Sequence, residues 1–206
     1  YSKGEFQGFG FASVHGKAPN FSGNVLDTDG NVVGQPDSRV DLFEADAYFI
    51  RGDFTWQGQL SYGRQRNASI TPAADGSLRD ASWWGASTLL AYKFIPRWEV
   101  VGRLDYLNNT KNGGGLLGYT SADGRNGIGP GMALNADFGV WEPIDPDRGT
   151  KRMALSLGLS YQFNMNTTFK TEYRLDRADQ PVFLDVRSGE YRKTNSVFGT
   201  SVVVSF

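Results

Sequence analysis

One stretch decides the fold: Ser196-Val197-Phe198-Gly199-Thr200-Ser201-Val202-Val203-Val204-Ser205-Phe206. Large apolar side chains recur at every second position, with Thr200 as a mild exception, at Phe198, Val202, Val204 and Phe206. The positions of opposite parity include the small or polar residues Asn195, Gly199, Ser201 and Ser205. This alternation predicts a strand with one apolar face and one small or polar face. An apolar strand edge invites aggregation in water, whereas a closed barrel in a bilayer has no free edge, so the stretch favours a membrane barrel.

Three further pairs of alternating segments predict β-hairpins. In the clearest pair, apolar residues run from Met153 to Phe163 and, after the short link 164–166, from Phe169 to Leu175. The positions between them are small, polar or charged. The other two pairs are Trp84–Phe94 with Trp98–Tyr106, and Phe43–Phe49 with Phe54–Tyr62. The chain is therefore expected to be all-β, and the alternation alone leaves a water-soluble sandwich open as the alternative.

The links between these segments alternate between short and long. The short links are Arg51–Asp53, Ile95–Arg97 and Asn164–Asn166, and the long ones are Lys17–Arg39, Arg64–Asp80, Asn108–Lys151 and Ala178–Lys193. Outer-membrane barrels combine tight periplasmic turns with longer extracellular loops, and their strands are flanked by aromatic girdles. Aromatic residues near the ends of the predicted strands fit such girdles. We therefore predict a transmembrane antiparallel up-and-down β-barrel with about eight strands in this chain.

The segment Asn108–Lys151 does not fit a simple hairpin. It contains an alternating piece from Met132 to Val140. A single membrane crossing by this piece would reverse the direction of every following strand and contradict the turn lengths. We therefore interpret the whole segment as one long extracellular excursion that includes a strand folding over or into the barrel mouth. Loops of this length are usually functional.

Composition narrows the function classes. The 206 residues carry a formal net charge of −1, 26 glycines, 14% aromatic residues and no cysteine. A nearly neutral chain is not expected to bind nucleic acid. No phosphate-binding loop, zinc-ligand spacing or dinucleotide fingerprint occurs, so no cofactor and no metal are expected. No apolar run reaches the roughly 18 residues of a membrane helix, whereas barrel strands need only about 9–11 alternating residues.

The charges of the predicted strands fall on the polar parity. They are Glu44, Asp46, Arg103, Asp105, Arg152, Lys170, Glu172, Arg174 and Asp176. A lysine or arginine facing lipid near the midplane costs about 2–4 kcal/mol, so these side chains must face an interior. In a narrow barrel they would pair and plug it, whereas in a wide barrel they would line a water-filled pore. We predict that they line a pore.

The single histidine gives the one hint of catalysis. His15 and Ser13 lie two residues apart and therefore on the same face of a strand. Such a pair is typical of acyl hydrolases, but no third group that would orient the histidine is evident in the sequence. A histidine at a barrel rim is the simpler interpretation, and we expect no enzymatic activity.

Three stretches resemble a porin-like family of outer-membrane proteins from betaproteobacteria: Tyr106–Gly115, Lys170–Arg177 and Val202–Phe206. The end of the chain also resembles the last strand of Gram-negative outer-membrane barrels, in which the final aromatic residue is read by the barrel-assembly machinery. The resemblance implies that residues 1–206 form one outer-membrane barrel domain, the C-terminal portion of a longer chain.

The resemblance implies a barrel and a membrane but not a substrate, so the expected function rests on the charged lining. The expected partners are outer-membrane lipid, lipopolysaccharide, the barrel-assembly machinery through Phe206, and two further copies in a homotrimer. The expected function is passive diffusion of small hydrophilic solutes or ions across the bacterial outer membrane. The alternative is a small non-conducting barrel with an adhesive or structural role, or a rim hydrolase that uses His15.

Overall fold

A computed structural model describes residues 6–19, 25–26, 29, 32–34, 37–69, 73–112 and 129–206. Fourteen strands are described: β1 Gln7–Pro19, β2 Val25–Leu26, β3 Val32–Gly34, β4 Asp37–Arg51, β5 Phe54–Gln65, β6 Ala81–Ile95, β7 Trp98–Lys111, β8 Met132–Asn135, β9 Val140–Pro143, β10 Lys151–Gln162, β11 Thr167–Ala178, β12 Phe183–Asp185, β13 Glu190–Arg192 and β14 Thr194–Val204. Within these ranges, no helix has the length and apolarity needed to cross a membrane.

Eight of the strands form one antiparallel sheet. Their order is β1-β4-β5-β6-β7-β10-β11-β14, so each strand lies beside its neighbour along the chain apart from the short strands in the links. This confirms the predicted all-β, up-and-down arrangement of eight strands. In the described residues the sheet is not closed, because β1 and β14 are its two edges and do not pair with each other.

The alternation of link lengths is also confirmed. Tight turns join β4 to β5, β6 to β7 and β10 to β11, whereas the other four connections are long. Two of the tight turns use left-handed backbone conformations, with φ of +57° at Gly52 and +74° at Arg97. Glycine adopts this conformation without strain, whereas arginine does not prefer it. All three tight turns lie at one end of the sheet.

The sheet has two unlike faces. We call the face that carries Asp46, Asp105 and Asp176 the polar face, and the face that carries Leu60 and Leu155 the apolar face. Large apolar side chains of the apolar face stay exposed, as for Leu157 at 54%. By contrast, several residues of the polar face are buried, among them Ala154, Ser156 and Asp176. Side chains converge on the concave side of a curved sheet, so the polar face is the concave one.

Three short hairpins lie outside the main sheet, in the long links. They are formed by β2 with β3, β8 with β9, and β12 with β13. The pair β8–β9 falls within the segment Asn108–Lys151, which therefore makes an excursion rather than a further crossing, as predicted. Residues 113–128 of that segment lie outside the described residues.

The long links contact one another. The Trp141 and Tyr191 rings, from the β8–β9 and β12–β13 hairpins, lie with centroids 5.1 Å apart. The backbone N–H of Met132 donates to the carbonyl of Pro181 at 2.9 Å. A third link joins through the ion pair between Arg79 and Asp147. Together these contacts make three of the long links a single layer over one end of the sheet.

Carboxylates fix the turns of this layer. The Ser77 hydroxyl and backbone N–H donate to Asp75 and hold the pKa of that carboxyl below its usual value. The backbone N–H of Arg187 likewise lowers the pKa of Asp185, and nearby Arg192 adds to the effect. Both carboxylates are therefore charged at neutral pH, in the acceptor state that an Asx turn requires.

Candidate pore-lining site

The polar face holds a three-residue ion cluster near the long-link ends of β10 and β11. Arg152 from β10 donates to Asp176 of β11 at 2.7 Å, and Arg174 donates to the same carboxylate at 3.0 Å. The Asp176 side chain is only 3% exposed, whereas that of Arg174 is 37% exposed. A buried carboxylate needs such partners, because leaving it unpaired would cost several kcal/mol. Asp176 is therefore the fixed point of the cluster, and both guanidinium groups bind to it.

A second ion pair lies on the neighbouring strand. Arg103 of β7 donates to Asp105 at 2.9 Å, and the Ser87 hydroxyl of β6 donates to the same carboxylate at 2.6 Å. The strand register places Ala154 opposite both Asp105 and Asp176. The small side chain of Ala154 between the two carboxylates leaves room for the arginines. Strands β7, β10 and β11 therefore form a surface with three guanidinium groups, from Arg103, Arg152 and Arg174, and two carboxylates. We call this surface the basic wall.

The opposite side of the polar face is acidic. Glu44 and Asp46 both project from β4 on this face, and no ion pair holds either of them in the described part of the chain. The Asp46 carboxylate lies over Gly10 of β1, where a Cβ atom would meet it at 2.7 Å. The glycine thus provides the space that the carboxylate occupies. We call Glu44 and Asp46 the acidic wall.

Two polar recesses lie between the walls. One, of about 280 Å³, is lined by Arg103, Arg152 and Arg174. The other, of about 330 Å³, is lined by Glu44, Asp46 and Arg103. Both also contact Gln59 and Ser87, so they adjoin each other across β5 and β6. A polar solute there would contact carboxylates on one side and guanidinium groups on the other.

The remaining two predicted residues, Lys170 and Glu172, lie apart from these ion pairs. Lys170 lines a recess of about 350 Å³ near the tight-turn end, together with Glu99 and Arg97. Glu172 follows on the same face of β11, between Lys170 and Arg174. No ion pair holds Lys170 or Glu172 among the described residues. The structure thus places all nine predicted residues on one face and joins five of them in ion pairs, Arg152 and Arg174 with Asp176 and Arg103 with Asp105.

Sequence reasoning missed two contributors to the site. Ser87 was not singled out, because a serine in an alternating strand carries no signal beyond its parity. Phe183 from β12 stacks its ring under the Arg152 guanidinium at 5.5 Å. It is buried with Ala178 and Val182 in a small apolar cluster. The layer of long links therefore reaches the polar face and covers the end of the basic wall.

The structure supplies the partner that the sequence did not show for His15. Its Nδ1 atom lies 2.7 Å from an Asp41 carboxylate oxygen, across the pairing of β1 with β4. The partner is not evident in the sequence because it lies 26 residues away, on another strand. Ser13 makes no hydrogen bond to His15 in the described part of the chain. His15 lies on the apolar face, not among the pore-lining candidates.

A metal centre has no support in the described ranges. They contain no group of three or more histidine, cysteine, aspartate or glutamate residues positioned to hold a metal ion.

Comparison with known proteins agrees with this architecture. Residues 10–206 match the sequence model of a family described as “Protein of unknown function (DUF3138)”. Among solved structures, the chain is similar to OmpT (in-vitro folded), an outer membrane protein of Vibrio cholerae, with a TM-score of 0.53 and 12% identity. The match covers 100% of this chain and 53% of the other, so the chain spans about half its length. No curated protein matches the sequence.

The ion cluster gives a prediction for stability. Asp176→Asn keeps the shape of the side chain but removes its charge, leaving Arg152 and Arg174 close together without their shared anion. We expect the free energy of unfolding to fall by about 3 kcal/mol. Urea titration of the protein in lipid vesicles, followed by the heat-dependent shift on gels, measures the change.

Asp46→Asn is the matched control, since it makes the same chemical change at an exposed carboxylate of the acidic wall. Its effect should stay within about 0.5 kcal/mol. Equal losses in the two variants would contradict the assignment of Asp176 as the fixed point.

Proposed function

The chain belongs to this family, DUF3138, and on the charge pattern of its polar face we propose that it forms an outer-membrane channel for small hydrophilic solutes or ions. The observation that carries the proposal is the pair of opposed walls, with polar recesses between them. Charges of both signs facing a shared space attract counter-ions and orient dipolar solutes. An interior that is filled with side chains admits neither counter-ions nor solutes, so neither effect would operate there.

The incomplete pairing of the charges supports a wet interior. In a plugged barrel each buried charge requires a partner, since an unpaired one is costly. Glu44, Asp46, Lys170 and Glu172 hold no ion pair in the described part of the chain. Water in a pore would hydrate these four side chains and so offset the cost of leaving them without an ion pair. The charged face therefore fits a pore lining better than a closed network.

Two findings support a wide barrel. The edges β1 and β14 do not pair with each other in the described residues. The chain also covers only 53% of the Vibrio cholerae structure it resembles. Both fit the interpretation that residues 1–206 are the C-terminal portion of a longer chain with more strands. Porins of about 16–18 strands leave an aqueous channel.

The surroundings follow from the same proposal. The exposed apolar face, with leucine, valine and aromatic side chains, is suited to lipid. An outer-membrane location, the assembly role of Phe206, a homotrimer and the betaproteobacterial porin-like relationship stay predictions. The absence of enzymatic activity is proposed with them.

Orientation is the first testable consequence. The tight turns belong on the periplasmic side and the layer of long links on the extracellular side. Cysteines introduced by Ala74→Cys and Arg187→Cys lie at exposed positions of two long links and should react with an impermeant thiol reagent in intact cells.

Met165→Cys serves as the comparison, because Met165 is 93% exposed in a tight turn. It should react only after the outer membrane is permeabilised. The reverse labelling pattern would refute the orientation.

Ion preference is the second consequence. Lys170→Glu reverses a charge that no ion pair holds, so folding should be unaffected while the pore becomes more negative. In planar bilayers under a salt gradient, the reversal potential of the full-length protein should move toward that of a cation-selective pore. The shift should grow at low salt, because screening weakens with dilution.

Glu44→Lys makes the opposite change on the acidic wall and should move the reversal potential toward anions. Identical reversal potentials for the wild type and both variants would exclude these walls as the selectivity element. A folded full-length protein without single-channel steps would overturn the channel itself.

A rim hydrolase is the second candidate, and the Asp41–His15 contact favours it. A carboxylate that orients a histidine is one component of a nucleophilic site. Two observations weigh against it. Ser13 and His15 are not hydrogen-bonded to each other, and Arg39 binds the same oxygen of Asp41 at 3.0 Å, so the carboxylate already belongs to an ion cluster.

We therefore expect His15 to be dispensable for any lipid hydrolysis. Purified His15→Ala protein and wild type should release fatty acid from phospholipid vesicles at the same background rate, as should Ser13→Ala. If the wild type has a measurable lipid-hydrolysing activity and both variants lose it, the hydrolase would be better supported than the channel.

A further inference from the structure

A recess on the polar face near the tight turns is lined mainly by hydrogen-bond donors. It has a volume of about 350 Å³ and is formed by β6, β7, β10, β11 and the turn between β6 and β7. We call it the tight-turn recess. Among the described residues that line it, Lys93, Arg97 and Lys170 are cations and Glu99 is the one carboxylate. Three cations against one carboxylate leave the lining with an excess of two positive charges.

Neighbouring side chains do not compensate the charges of the tight-turn recess. Across the described ranges, Lys93, Arg97 and Lys170 form no ion pair and donate no side-chain hydrogen bond. Glu99 forms no ion pair there either. By contrast, the three arginines of the basic wall are all held by carboxylates. Like charges around one small recess repel each other, and an anion between them would relieve that repulsion.

Neutral donors complete the lining of the recess. Ser160, Gln162 and Thr168 contribute two hydroxyls and one amide. In the part of the chain that the structure describes, none of these three side chains makes a hydrogen bond. The strand register places Ser160 between Glu99 and Lys170 in one row, with Gln162 and Thr168 opposite each other in the next. An anion with several acceptor oxygens can therefore accept hydrogen bonds from charged and neutral donors together.

Arg97 occupies a backbone position that does not suit an arginine. It follows Pro96 in a two-residue turn, and its φ is +74°. A turn with proline first and a left-handed residue second normally has glycine or asparagine at the second place. The turn between β4 and β5 does use a glycine, Gly52, at its left-handed position. The turn itself therefore gives no reason for an arginine at position 97, whereas the recess that its side chain lines does.

We infer that the tight-turn recess binds a small, doubly charged oxyanion, with the oxygens of the anion at Lys93, Arg97 and Lys170. The charge selects this class, because two negative charges balance the excess of two positive ones. A guanidinium group makes two-point contacts with carboxylate or phosphate oxygens, and ammonium groups add compact point charges. Inorganic phosphate and a short dicarboxylate share this chemistry. The inference goes beyond the channel, since the recess would bind such an anion whether or not the barrel conducts.

The position of the recess favours a dissolved anion as the occupant. Lipid or a second copy of the chain would meet the exposed apolar face, which is the other side of the sheet. The lining residues come from four adjacent strands of the sheet and from one turn between two of them. The recess is therefore formed within this chain, and its shape does not depend on how the sheet continues beyond β1 and β14.

Calorimetric titration of the purified full-length protein in detergent tests the inference. The probes are inorganic phosphate, succinate and, as a singly charged comparison, acetate. The titrations are made at mildly alkaline pH, where phosphate is doubly charged, and at low ionic strength, because salt screens exposed charges. At least one of the two dianions should bind the wild type about tenfold more tightly than acetate. The tighter dianion shows whether the site suits a tetrahedral anion or a dicarboxylate, and it serves as the probe for the variants.

Three variants give results of opposite sign. Arg97→Gly removes the guanidinium and also relieves the backbone strain of the turn. It should weaken binding of the dianion about fivefold, while its resistance to urea equals or exceeds that of the wild type. Lys170→Gln should weaken binding by a similar factor. Glu99→Gln removes the carboxylate of the recess and should strengthen binding about threefold, because the lining becomes more positive.

Arg51→Gln is the matched control. Arg51 is an exposed cation beside another tight turn and does not line the recess. The affinity of this variant for the dianion should equal that of the wild type. An equal loss in Arg51→Gln and Arg97→Gly would contradict a discrete site.

Two further results would overturn the inference. One is equal affinity of the dianion for the wild type, Arg97→Gly and Lys170→Gln. The other is binding of phosphate and succinate that is absent or no tighter than that of acetate. None of these titrations needs a conducting channel, so their outcome is independent of the channel proposal.

Discussion

The structure depends on the register of its backbone hydrogen bonds. Side chains alternate between faces along a strand, so a slip of one residue would move a whole strand's charges to the apolar face. The antiparallel pairing of eight strands in one sheet opposes such a slip. The register also selects partners within the polar face, because Ala154 stands opposite both Asp105 and Asp176. Backbone pairing alone therefore brings the residues of the basic wall together, and their ion pairs form within that arrangement.

The two faces of the sheet accommodate their charged groups in different ways. On the polar face, one deeply buried carboxylate is compensated by two arginines, while other charges rely on water. On the apolar face, charge is confined to the strand ends, where in the proposed membrane a lysine or arginine would cost about 0–1 kcal/mol rather than the larger penalty at the midplane. Alanine and glycine near β4 and β5 lower the surface there, so the apolar face is grooved rather than uniform.

Local patterns in the sequence were sufficient to predict the strands, the alternation of link lengths and the polar parity of the nine charged residues. These features depend only on near neighbours along the chain. The partners of those residues could not be predicted, because they depend on how distant strands align. Asp41 meets His15 and Phe183 meets Arg152 for this reason. Alternation likewise gives no information about which small residues adjoin across strands to form a groove.

The layer of long links bears on how other molecules recognise this protein. Arg79 and Asp147 are 68 residues apart in sequence but meet in one contact, and Trp141 lies against Tyr191 from another link. An antibody that approaches this end would meet a discontinuous epitope assembled from three segments. Synthetic peptides that copy a single link would reproduce only part of it. Immunisation with the folded protein is therefore the route to antibodies that bind this surface.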